Sequence, residues 1–300
     1  MLCYFHLKYS QNSSENQVNA HFPFVFSSLI VYIRLAMSTF HTITQAKLKS
    51  FQKLTQKKYR EEEKKFLVEG VHLVEEALES DWEIESLLIC PVILKIKTEG
   101  IEHRAKGKGI EILELSDWEF EKLSDTVTSQ GIIAIVKAQK RSLNELLKNL
   151  PTQSLLVALE EIGDPGNVGT ILRTCDWFGV QGILLSNATV ELYSPKVVRA
   201  SMGAIFHLPI IDDVDLGAAL HTVRAAGFKV IATVSEEGST LSSYEFPDKC
   251  VIVFGNEARG VSPEVKHGAD GLLTIPKFGK AESLNVGIAC GVVLSAVRIS

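Results

Sequence analysis

Cysteine is scarce and scattered: Cys3, Cys90, Cys175, Cys250 and Cys290 are the only five in 300 residues, with no C-x-x-C among them and no histidine at zinc-finger spacing. That pattern argues against a disulfide framework and a structural zinc site, and it makes a reducing, cytoplasmic setting the expected one. Long apolar runs are missing as well. The stretch HFPFVFSSLIVYIRLAM holds a run about half the ~20 residues that span a bilayer, with neither a basic leader nor a small-residue cleavage site, so no membrane partner is expected. Positive charge is not in excess; the formal net charge of −5 excludes a chain coated in basic residues but allows a local basic face. Familiar catalytic signatures are absent too: no G-x-x-x-x-G-K-[ST], no HExxH, no G-x-S-x-G and no paired carboxylates. Gly163, Gly166 and Gly169 form G-x-x-G-x-x-G, which is not the dinucleotide fingerprint. Glu191, at a suitable distance for a ribose-binding acid, lies in a loop.

What is present is apolar mass: 46% of the residues, enough for two domains that each bury a core. Met37 opens MSTFHTITQAKLKSFQKL, which reads as the start of a helical domain, so residues 1–36 are expected to be a disordered extension or a misassigned start. From 37 to 140 the pattern predicts a small α/β domain, with strands in KFLVEG, SLLIC, IEILEL and GIIAIVK, a helix in GVHLVEEALES and a capped helix in SDWEFEKL. Residues 141–153 read as a linker carrying a polar helix up to Pro151. From 154 to 300 the runs LLVAL, GILLS, KVIATV, VIVF and LLTI alternate with helical segments, the mark of a parallel sheet covered on both faces. Ligands then belong at the carboxyl ends of its strands.

Residues 41–60 hold Lys47, Lys49, Lys53, Lys57, Lys58 and Arg60 and no acid. Lys49, Lys53, Lys57 and Arg60 recur at helical spacing, so on one helix they form a basic stripe able to follow a phosphate backbone, or else a solvated face. Three strand-loop-helix passages concentrate glycine, asparagine and serine. In DPGNVGTILRTCDWFGV, Val168, Leu172 and Cys175 share a core face while Thr170, Arg173 and Trp177 share another; the plain alternative for Arg173 is a surface pair with Asp176. In VIVFGNEARGVS, Gly255 and Gly260 bracket Asn256 and Glu257, either for close backbone approach to a ligand or as a simple turn. In LLTIPKFGKAESLNVGIACGVVLSAV, Ser283 is placed to cap a helix starting near Leu284, and Gly287, Cys290 and Gly291 leave a small-residue face suited to helix packing or a flat ligand.

Taken together and in this order, the three passages closely resemble the motifs of the SpoU, or TrmH, family of RNA ribose 2'-O-methyltransferases, over nearly all of residues 154–298. Residues 40–138 resemble, more weakly, that family's small ribosomal-protein-like RNA-binding domain, through FLVEGVHLVEEAL and VTSQGIIAIV. The resemblance implies a deep trefoil knot in the carboxyl-terminal α/β domain, S-adenosylmethionine as methyl donor without metal, structured rRNA or tRNA as substrate, and a homodimer formed through that domain. It assigns cofactor contacts to Thr233, Gly255, Glu257, Gly260, Ile275, Leu284 and Asn285, and catalytic roles to Asn167, Arg173, Glu257, Ser283 and Asn285. Arg173 is expected to clamp a phosphate and orient the 2'-hydroxyl, with action as a base the alternative. A ribose 2'-hydroxyl nucleophile restricts the substrate to RNA, which gives the basic stripe a partner. The other readings are an RNA-binding protein that keeps the fold without turnover, a base-nitrogen RNA methyltransferase, and a nicotinamide-dependent oxidoreductase.

Overall fold

The computed structural model describes residues 41–94 and 99–299; the extension expected at 1–36 lies outside them. The described residues belong to one compact unit, His41–Ser300, built around two sheets. The first has five strands, β1 (His41–Thr42), β2 (Lys65–Glu69), β3 (Ile84–Ile89), β4 (Glu111–Glu114) and β5 (Ile132–Lys137), in the order β1-β4-β3-β5-β2. β5 runs antiparallel to both of its neighbours. Five helices accompany this sheet: α1 (Gln45–Lys53), α2 (Lys57–Glu63), α3 (Val71–Glu79), α4 (Glu99–Gly107) and α5 (Asp117–Glu121). The expected cap is present in α5. The Ser116 hydroxyl accepts from Glu119 N while the Glu119 carboxylate accepts from Ser116 N, a reciprocal capping box.

The basic stripe is not continuous. The chain breaks between α1 and α2 at Leu54–Gln56, so Lys49 and Lys53 lie on one helix and Lys57 and Arg60 on the next. Leu48, Phe51 and Leu54 are buried against Leu67, Leu88, Phe120 and Ile135. Lys49, Lys53 and Lys57 are exposed, but Arg60 is 6% exposed. Its guanidinium donates to both oxygens of Glu191, at 2.6 and 2.5 Å, and to Leu54 O at 2.8 Å. Arg60 is thus a structural cation and not part of an exposed phosphate-binding stripe.

The second sheet is all parallel. Its seven strands are β6 (Ser154–Leu159), β7 (Gly182–Ser186), β8 (Ile210–Val214), β9 (Lys229–Val234), β10 (Ser239–Thr240), β11 (Lys249–Phe254) and β12 (Gly271–Thr274), in the order β10-β12-β9-β11-β6-β7-β8. Its helices are α6 (Leu143–Lys148), α7 (Pro165–Trp177), α8 (Pro195–Ser201), α9 (Leu216–Ala225), α10 (Pro263–Gly268) and α11 (Val286–Ile299). Every residue of β6 is buried, as a strand covered on both faces requires. The segment read as a linker packs: Leu143, Leu146, Leu147 and Leu150 lie against the core of Leu156, Leu184, Leu220 and Val251.

The layers around the two sheets are joined by apolar and ionic contacts. Phe66 stacks on Tyr193 at 4.6 Å between ring centroids, and Trp82 meets Phe206 edge-on at 5.4 Å. Arg60–Glu191 is the most buried ion pair of the junction, with Glu191 14% exposed. Removing one member leaves the other charge in a low-dielectric setting, so Glu191→Ala should lower stability by about 3 kcal/mol. The check is a fall in the urea midpoint at unchanged m-value.

Candidate active site

β6 and β11 are neighbours in the middle of the parallel sheet, with Phe254 opposite Leu159 at their carboxyl ends. From there the chain diverges. β6 leads through α7 to β7 on one side, and β11 leads through α10 to β12 beyond β9 on the other. This is the switch-point geometry that opens a crevice at the carboxyl edge of an α/β sheet. The loops 160–164 and 255–262 leave the sheet side by side there.

α7 begins at Asp164, whose carboxylate accepts from Asn167 N at 2.9 Å, with Pro165 in the first turn. That cap leaves the Asn167 side chain free to bridge. Its Nδ2 donates to Glu257 Oε1 at 2.9 Å, and its Oδ1 accepts from Asn285 Nδ2 at 2.9 Å. Glu257 also accepts from the backbone N–H groups of Gly163 and Asp164, each at 3.3 Å. Asn285 Oδ1 in turn accepts from Gly287 N at 2.9 Å and Ile288 N at 3.3 Å, so Asn285, and not Ser283, caps α11. Ser283 and Leu284 are exposed just before that cap. The result is one hydrogen-bonded chain, Glu257–Asn167–Asn285, that ties all three loops together. Partial burial works against the Glu257 carboxylate, but the hydrogen bonds from Asn167 and the backbone outweigh it and hold its pKa below the ordinary carboxylate value. Glu257 is therefore an ionised acceptor at neutral pH.

The 255–262 loop is folded tightly on itself. A Cβ on Gly255 would lie 2.2 Å from the Gly260 carbonyl carbon and 2.2 Å from Val261 N. Gly260 supplies the left-handed turn at φ +69°, and its N–H donates to Asn256 O at 2.8 Å. Two residues to which the sequence reading gave no role lock the loop: Asn256, whose side chain accepts from Ala258 N and Arg259 N and donates to Glu161 O, and Glu160, whose carboxylate accepts from Ser262 N at 2.8 Å. The Asn-x-x-x-Gly of GNEARG was a legible turn signal for the first. Thr233 spends its hydroxyl on Val253 O at 2.9 Å, within the sheet, and Ile275 follows β12 directly.

Arg173 lies six residues beyond Asn167, about 9 Å along the helix axis. It is exposed, and among the described residues it makes no ion pair. The Asp176 partner open to it is taken by His207, whose Nδ1 lies 2.9 Å from Asp176 Oδ2 and whose Nε2 lies 2.9 Å from Glu76 Oε2 of α3. His72 also stands 3.7 Å from Glu76. Burial opposes a charged ring at His207, but Asp176 and then Glu76 raise its pKa above the ordinary 6.5. A raised folded value means that the stabilisation is complete below the unfolded pKa and is lost as pH rises through the folded one. The unfolding midpoint should therefore fall on going from mildly acidic to alkaline solution. Since the His207 side chain is 43% exposed, the effect is small, on the order of 0.5 kcal/mol, and His207→Gln should flatten it.

The small-residue face of α11 is used for packing. A Cβ on Gly287 would meet Thr170 Cγ2 of α7 at 3.1 Å, and one on Gly291 would meet Thr174 Cγ2 at 3.8 Å. Cys290 lies against Cys175, both buried; burial first, and the neighbouring thiol second, push the Cys175 pKa far up, so it is no nucleophile. Both helices also expose large apolar side chains, with Trp177 86%, Ile288 57%, Val292 38% and Ile299 83% exposed. Among the described residues, no group of His, Cys, Asp or Glu is arranged to hold a metal, and no helix is long and apolar enough to cross a membrane.

Comparison with known proteins agrees with this arrangement. Residues 154–295 match the model of the SpoU rRNA Methylase family, and residues 45–134 match an MRM3-like substrate binding domain. The chain is 29% identical over 262 residues to the 23S rRNA (guanosine(2553)-2'-O)-methyltransferase RlmP of Bacillus subtilis, covering 87% of this chain and 100% of that protein. It is 32% identical over 259 residues to slr1673 of Synechocystis sp., an uncharacterised tRNA/rRNA methyltransferase, covering 86% of this chain and 92% of that one. The crystal structure of an AdoMet-bound rRNA methyltransferase from Sinorhizobium meliloti superposes with a TM-score of 0.75 at 31% identity, over 86% of this chain and 96% of the other. Together with the three loops that meet at Asn167, these matches place the chain in the SpoU/TrmH family of RNA methyltransferases.

Proposed function

We propose that the protein transfers a methyl group from S-adenosylmethionine to a ribose 2'-hydroxyl of structured RNA, ribosomal or transfer RNA. The observation that carries this reading is the Glu257–Asn167–Asn285 chain, which gathers the three loops at the sheet's switch point. RlmP is named as a ribose 2'-O-methyltransferase and the Sinorhizobium structure as AdoMet-bound, and both support it.

The cofactor fits the loops on one structural ground: Gly255 is held so closely against the backbone of Gly260 and Val261 that a side chain is excluded, so the 255–262 loop is fixed in shape and offers main chain at that position. The backbone around Gly255, Ile275 and Leu284 would hold S-adenosylmethionine, with Thr233, Glu257, Gly260 and Asn285 beside it. When bound, it supplies a methyl already activated on a sulfonium, so no metal or covalent enzyme intermediate is required. The protein's task is alignment. Asn167, fixed by Glu257 and Asn285, would orient the ribose, with Ser283 completing the network, and Arg173, a fork-shaped cation without an ion pair among the described residues, would clamp the adjoining phosphate.

The division of labour follows the matched segments: residues 37–140 as an RNA substrate-binding domain, 141–153 as its connection, and 154–300 as a knotted methyltransferase domain. Lys49, Lys53 and Lys57 would meet phosphates. Two copies would pair through the exposed apolar residues of α7 and α11, and the site would be completed at that interface. Calorimetric titration tests the ligand class: S-adenosylmethionine should bind and NAD should not, and the reverse result would remove the proposal.

A further inference from the structure

The passage from β12 to α11 contains a feature that the hydrogen-bonded site does not use. Phe278 is 96% exposed, whereas Phe66, Phe120 and Phe254 are fully buried. On either side stand Lys277 and Lys280, both exposed and, among the described residues, without an ion pair. Gly279 between them adds no side chain to crowd the ring. The loop is not free to wander from the site: one end is Thr274, the last residue of β12, and the other is Asn285, bonded to Asn167 at 2.9 Å. Phe278 and Asn285 are seven positions apart, a reach of at most about 25 Å and less in any bent course.

The other exposed aromatics have different surroundings. Trp177 is exposed on α7, whose packing partner α11 exposes Ile288 and Val292, which suits a second copy of the chain. Trp118 is covered by the ammonium of Lys122. Among the described residues, Phe278 alone combines a bare ring, two neighbouring cations without an ion pair and a tether to the site. A ring between cations suits single-stranded nucleic acid, because each base offers a face for stacking and each linkage a negative charge. A protein partner with an acidic groove would need the cations but has no special use for an isolated ring.

We infer that Phe278 is a stacking platform for an unpaired RNA base beside the methylated ribose, with Lys277 and Lys280 neutralising the flanking phosphates. This rests on the methyltransferase reading and adds a selection: the ring accepts a nucleotide lifted out of its helix and discriminates poorly between bases. Phe278 acts as a positioning residue, so its loss should weaken RNA engagement and leave donor binding alone.

The test uses the full chain, a labelled single-stranded RNA of mixed sequence, and methyl transfer to total RNA from a strain lacking the gene. Phe278→Ala should weaken RNA binding and raise KM for RNA about tenfold, within the range that loss of one base–aromatic stack produces. S-adenosylmethionine affinity, kcat and melting temperature should stay at wild-type values, and Phe278→Trp should restore KM. Lys277→Gln with Lys280→Gln should reduce the slope of log affinity against log salt by about 1.4, two phosphate contacts on a single strand. Wild-type RNA binding and KM in Phe278→Ala would overturn the platform, as would dissociation of a dimer by that substitution, which would assign the ring to a second copy. Absence of methyl transfer by the wild type would instead strike the methyltransferase reading; weaker RNA binding by Phe278→Ala would even then support stacking.

Discussion

Arg173→Ala should reduce methyl transfer by roughly a hundredfold to a thousandfold, the loss typical of removing one preorganised charge or donor at a reacting oxygen, while S-adenosylmethionine binds as tightly as before. The separation follows from position. Arg173 lies about 9 Å along α7 from Asn167, and among the described residues no hydrogen bond or ion pair joins it to the 255–262 loop or to Asn285, so its removal should leave the loops proposed to hold the cofactor intact. Its former i, i+3 alternative, Asp176, is occupied by His207, so no ion pair is broken and stability should hardly change. Arg173→Lys keeps the charge but loses the planar fork and should recover only part of the rate. Single-turnover rates on RNA beside calorimetry with S-adenosylmethionine are the measurement; near-normal turnover in Arg173→Ala would remove its assigned role.

Gly255→Ala should have the opposite signature, with cofactor binding falling about a hundredfold, or ~2.7 kcal/mol. The added methyl would lie 2.2 Å from two backbone atoms, and backbone cannot swing aside as the end of a flexible side chain can. The loop must open. Opening strains the Asn256 clasp and draws Glu257 away from Asn167, so donor affinity and the three-loop chain fail together. Overpacking of this kind also costs about 1–3 kcal/mol of stability, readable as a lower melting temperature. Wild-type donor affinity in this variant would show that the loop does not hold the cofactor.

How much of this was legible in the sequence depended on distance along the chain. β6, β7 and β11 announce themselves as apolar runs because both faces of the sheet are covered there, and the less buried β9 and β12 still carry short apolar runs. β8 was missed because it lies at the sheet edge and carries Asp212 into a partly exposed and Asp213 into an exposed position; β1 and β10, two residues each, have no periodicity to read. The core face of α7 and the capping box of α5 are local patterns and were read correctly. The break between α1 and α2 has no glycine or proline to mark it, and the burial of Arg60 depends on Glu191, 131 residues away. For the same reason the site residues could be named only by resemblance. Asn167, Glu257 and Asn285 are separated by 90 and 118 positions from the first of them, and no spacing rule predicts that two amides and a carboxylate will join. Ser283 and Asn285 are both good caps by type; only the backbone of α11 decides for Asn285.

The central claim is that the acceptor is a ribose 2'-oxygen. Alkaline hydrolysis of RNA proceeds through that oxygen, so a methyl group on it blocks cleavage of the adjoining linkage. Purified protein, S-adenosylmethionine labelled in its methyl group and total RNA from a strain lacking the gene, followed by alkaline digestion, therefore report the methylated atom directly. The account predicts label confined to an alkali-resistant dinucleotide; label recovered in an ordinary mononucleotide, as methylation of a base would give, or no label in RNA at all, would contradict it.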